Sequence, residues 1–73
     1  MKLAKIIKEK GITTYRLARM AEIAPSDLYC VLKNQKPCYP AWRSRISKAL
    51  GMNEKDVFPE YHNKEQANGT DDT

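Results

Sequence analysis

Glycine and proline cut this chain into pieces that suit only short helices. Gly11, Pro25, Pro37, Pro40, Gly51 and Pro59 punctuate stretches whose apolar residues recur three, four or seven positions apart, the spacing that gathers side chains on one face of an α-helix. No stretch shows the two-residue alternation of a half-buried strand, and no internal repeat is present. The expectation is therefore an all-α chain whose helices share one core. At 73 residues there is room for one domain, and a domain of this size buries only about 60% of the surface its unfolded chain exposes.

Leu3, Ile6 and Ile7 predict a first helix over about 2–10, stopped by Gly11, the residue best suited to the left-handed position after a helix. Thr13 can cap a second helix over about 14–21, with Leu17, Ala18 and Ala21 on one side. Pro25 suits the first turn of a third helix over about 25–33, whose inner stripe is Leu28, Val31 and Leu32. The run KNQKPCYP cannot continue it and reads as a connector. Pro40 opens a fourth helix in which Trp42, Ile46, Ala49 and Leu50 share a face, which makes Trp42 a core residue; Gly51 ends it at about 50. Asn53 heads a short fifth helix, NEKDVF, with Asp56 in capping-box style and Pro59 as its stop. From Glu60 onward there is little to bury, so the domain is 1–61 and 62–73 reads as a disordered polar tail.

The net charge of +4 conceals an asymmetry. Residues 1–59 carry 12 Lys and Arg against 5 Asp and Glu, whereas 60–73 carry Lys64 against Glu60, Glu65, Asp71 and Asp72. A basic folded part favours a polyanion, nucleic acid before membrane. No apolar run approaches the roughly 20 residues of a membrane span, and the start MKLAKIIKEKG lacks a signal-peptide core, so a cytoplasmic location is expected. Cys30 and Cys38 are too few for a disulfide scaffold, and His62 adds no metal set; reduced thiols, no metal and no cofactor are the expectation. With no nucleophile–base arrangement or phosphate-cradling glycine loop, and little volume for a pocket of several hundred Å³, an enzyme is not expected.

The second and third helices are separated by only a few residues, with small Ala18 inside the first of them and apolar Ile23 in the turn. A small side chain lets two helices approach closely while Ile23, Leu28 and Val31 fill the space beneath. This is the pattern of a helix-turn-helix, whose second helix is free to enter the DNA major groove.

The run GITTYRLARMAEIAPSDLYCVLKNQKP, followed by WRSRISKALGMNEKDVFPEY, resembles the Cro/repressor-type helix-turn-helix family, also called XRE or lambda repressor-like. The likeness covers about 2–61 and is carried by Gly11-Ile12-Thr13, Leu17-Ala18, Ile23 before Pro25-Ser26, Ala49-Leu50-Gly51 and Val57-Phe58-Pro59. It implies a compact five-helix domain that binds a double-stranded operator, commonly as a symmetric dimer, and regulates transcription in phages, mobile elements or bacteria. Arg16 departs from the capping-box Glu usual in the family, Glu22 from the frequent turn Gly, and Ala24 offers no side-chain cap, which leaves Ser26 to cap a shorter third helix.

Within that likeness the outward side of the third helix, Pro25, Ser26, Tyr29, Cys30 and Lys33, would read bases, and Thr14, Asn34, Gln35, Lys36, Tyr39 and Arg43 would hold phosphates. Asp27 is better explained by the positive end of its own helix. Lys2, Lys5 and Lys8 read as a solvated ridge. Met52, Val57, Phe58 and Tyr61 could form a homodimer interface, unless the core consumes Val57 and Phe58. The rival account is a protein-interaction module, a helix-turn-helix antitoxin or antirepressor whose main partner is a protein. A third is a nonspecific architectural DNA binder.

Overall fold

The structure, a computed structural model, describes residues 1–61; the tail expected at 62–73 lies outside the described residues. The elements are α1 (Lys2–Lys10), α2 (Thr14–Ala21), α3 (Pro25–Leu32), α4 (Pro40–Leu50) and α5 (Glu54–Val57). A sixth helical segment starts at 59 and reaches the last described residue. The described residues are otherwise turns and loops, with no strand, and none of their helices is long and apolar enough to cross a membrane.

Helix boundaries follow local chemistry closely. Gly11 and Gly51 close α1 and α4 at φ 68° and 69°, in the left-handed region that a Cβ disfavours. Thr13 Oγ1 accepts the Arg16 N–H at 3.0 Å, satisfying one of the donors left over at the start of α2. Two expectations about caps need correction. Ala24 is the N-cap of α3 and Pro25 its first residue, so Ser26 lies inside the helix and caps nothing. Asn53 occupies the N-cap of α5, but its side chain makes no capping bond; its carbonyl alone receives the Asp56 and Val57 amides.

The core is built from Leu3, Ile6 and Ile7 of α1, Leu17, Ala18 and Ala21 of α2, Ile23 of the following turn, Leu28 and Val31 of α3, Cys38, Ile46 of α4, and Val57 and Phe58. α2 packs mainly on α4 and α3, while α5 joins α4 to α1. Phe58 is the largest side chain wholly removed from water. Trp42, expected in the core, is half-buried at its rim and meets Tyr39 edge to face, with ring centroids 4.7 Å apart. In the first turn of α4 it is the neighbouring Arg43 that is buried.

The fully buried Val57 and Phe58 are consumed by the core, which removes them from the suggested dimer interface. Tyr61 also faces inward: its hydroxyl accepts the Cys38 amide at 3.0 Å, and its ring lies edge-on to Phe58. Pro59 therefore does more than stop α5. Its locked φ opens the next helical turn, and the five-helix expectation is short by that segment.

Candidate nucleic-acid interface

α2 and α3 are joined by Glu22, Ile23 and Ala24. Glu22 takes φ 59°, the left-handed conformation usually left to glycine, and its amide bonds back to the Arg19 carbonyl. Ile23 turns inward and is buried, its amide donating to the Ala18 carbonyl at 2.9 Å. Arg45 of α4 donates from Nη1 to the Glu22 carbonyl at 3.3 Å. This tie from a third helix to the turn has no signature in the sequence, because the partners are 23 residues apart and the acceptor is backbone.

The burial pattern of α3 divides it into two faces. Leu28 and Val31 are inside, while Ser26, Tyr29 and Lys33 are exposed at i, i+3 and i+7, with half-buried Cys30 completing the stripe at i+4 and half-buried Pro25 beside its start. Four of the five residues expected to read bases thus lie in α3, and the fifth, Lys33, is its C-cap and continues the stripe. Tyr29 keeps 45% of its surface in water, a large ring left uncovered by the fold.

The residues expected at phosphates do not behave alike. Thr14 is the first residue of α2 and is half-buried. Asn34 is exposed at φ 62° beyond the end of α3, where Asn tolerates the left-handed turn better than most residues. The Gln35 amide closes the same turn by donating to the Cys30 carbonyl at 2.8 Å. Tyr39 is exposed at the N-cap of α4. Lys36 is exposed, but its ammonium sits 2.6 Å from the Asp27 carboxylate. The hydrogen bond to Asp27, and then the carboxylate's charge, raise the Lys36 pKa above the usual lysine value.

Arg43 corrects the sequence reading. It is only 7% exposed, its Nε donates to Glu54 Oε2 at 2.9 Å, its Nη1 donates to the Cys38 carbonyl at 2.9 Å, and its guanidinium lies 4.4 Å from the centre of the Tyr61 ring. A planar, multidentate cation is well suited to tie together an acid, a carbonyl and a ring, and here it is turned inward to do so. Cys38, beneath it, is buried, and burial pushes its thiol from 9.0 up to about 11. The loop carrying Gln35, Lys36 and Tyr39 is thereby held at the Cys38 backbone from both sides, by Arg43 on the carbonyl and Tyr61 on the amide.

A surface groove of about 550 Å³ is lined by Met1, Asn34, Pro37, Glu60 and Tyr61. It is larger than a chain this short was expected to offer, and those lining residues bring one carboxylate and one phenol. Comparison with protein-family models, with curated proteins and with solved structures found no match to this chain.

Proposed function

We propose that this chain is a sequence-specific DNA-binding regulator of transcription, acting in the cytoplasm as a repressor, with α2 and α3 as a helix-turn-helix and α3 as the helix that enters the major groove. The observation that carries the reading is the outward stripe of α3 and its C-cap: Ser26, Tyr29, Cys30 and Lys33 follow one another at groove-reading spacing beyond a turn whose Ile23 is buried. Ser26 can donate to and accept from base edges, the Tyr29 ring can meet a thymine methyl, and Lys33 can reach guanine or phosphate. The N-terminus of α2 at Thr14, together with Asn34, Gln35, Lys36 and Tyr39 beyond α3, would grip the backbone on either side. Arg43 has no part in this grip. The basic balance of 1–59 supplies the long-range attraction.

The test is selection of bound duplexes from a random DNA pool, followed by affinities of variants on the winner and on random sequence. Ser26→Ala and Tyr29→Ala should each lose about 1–3 kcal/mol on the selected duplex and much less on random DNA. Absence of any DNA binding at low salt would favour the protein-interaction module instead. Binding with a steep salt dependence but no winning sequence would favour a nonspecific architectural role.

A further inference from the structure

Between Ile23 and Asn53 the chain carries Lys33, Lys36, Arg43, Arg45 and Lys48, and Asp27 is its single acidic side chain. That acid lies in the first turn of α3 and is paired with the one phosphate-side lysine of the loop beyond the helix, nine residues later, at 2.6 Å. Both partners retain contact with solvent, with 44% of the Lys36 side chain and 29% of the Asp27 side chain exposed. The pair is therefore at the surface and open to exchange.

Resting on the DNA-binding reading, we propose that Asp27 restrains DNA binding by holding the Lys36 ammonium beside the outward face of α3. For Lys36 to neutralise a phosphate it must leave the carboxylate, and the carboxylate it leaves then faces a polyanion alone. Both effects weaken attachment to any DNA. The cost is the same for every duplex whose phosphate Lys36 must reach, so the restraint lowers affinity for selected and random DNA alike. A purely local role for Asp27, countering the positive end of α3, would affect folding and give no gain in DNA affinity that depends on Lys36.

The experiment measures fluorescence anisotropy on two labelled duplexes, the selected one and a random one, over a range of salt, for the parent, Asp27→Asn, Lys36→Ala and the double variant. Asp27→Asn should tighten binding to both duplexes by a similar factor of about ten and steepen the salt slope by up to about one. With Lys36 already removed, the same change should gain clearly less. Thermal melting within a few degrees of the parent would certify that the variants are folded. Unchanged or weaker random-duplex binding by Asp27→Asn overturns the restraint and leaves the DNA-binding reading standing, as does an equal gain with and without Lys36. A loss confined to the selected duplex overturns it too, making Asp27 a base contact. A parent that binds neither duplex at low salt overturns the functional reading, and the restraint with it.

Discussion

Arg43 and Glu54 join α4 to α5 through an Nε–Oε2 contact of 2.9 Å, and the arginine is the most deeply buried charged side chain among the described residues. The same guanidinium donates to the Cys38 carbonyl and lies against the Tyr61 ring, so one side chain gathers α5, the loop before α4 and the helical turn at 59–61. Arg43→Ala should cost about 3 kcal/mol, since it strips a buried carbonyl and a half-buried carboxylate of their partner together. Arg43→Lys should recover only part of that loss, because an ammonium lacks the planar fork. Urea melts would measure both. Under conditions where the variants are folded, the salt slope of DNA binding should equal the parent's; a slope lower by one unit would return Arg43 to the phosphates.

Glu22 bears a conformational cost at its φ of 59°, and Ala24 begins α3 without a capping oxygen. Glu22→Gly and Ala24→Ser should each stabilise the domain by about 1 kcal/mol. For a chain of this length that is a rise in Tm of roughly 4–8 °C apiece. A fall in Tm for Glu22→Gly would mean that the side chain makes contacts outweighing the strain.

Phe58 and Trp42 should differ in proportion to burial. Phe58→Ala empties a site at the centre and should cost about 3–5 kcal/mol, enough to unfold a domain this small. Trp42→Ala at the rim should cost about 2 kcal/mol and leave a folded, less stable chain. Equal losses in denaturant titration would place both at the centre.

Ser47 Oγ is buried with no hydrogen-bond partner among the described residues. Ser47→Ala should therefore raise stability by about 1 kcal/mol, because it removes a desolvated polar atom without removing a bond. A melt below the parent's would show that the hydroxyl is satisfied after all.

The Cys38 thiol, held at about 11 by burial against 9.0 for a free thiol, stays protonated in the fold while the unfolded chain ionises. The unfolded state thus releases its proton first, and stability should fall as pH rises between about 9 and 11. Cys38→Ala should flatten that part of the curve. At pH 8 iodoacetamide should modify half-buried Cys30 and spare Cys38; two modified thiols under native conditions would contradict this placement.

Local chemistry made most of the helices legible. Gly11, Thr13, Pro25, Pro40 and Gly51 act through their own backbone or through neighbours within a turn, so the bounds of α1, α2 and α4 stand where the sequence predicts them and α3 ends one residue early. The outward stripe of α3 was readable for the same reason: helical periodicity decides which side chains oppose Leu28 and Val31. What only the tertiary structure decided involves partners far apart in the chain. Arg43 looked like a surface cation because nothing near it in sequence announces Glu54, the Cys38 carbonyl and Tyr61 converging on it. Lys36 looked free because Asp27 is nine residues away, and Trp42 looked central because its spacing fits the inner face of α4, whereas depth depends on how that helix meets the others. Periodicity assigns a residue to a face; which faces meet, and which charges are drawn in between them, is settled only when the helices pack.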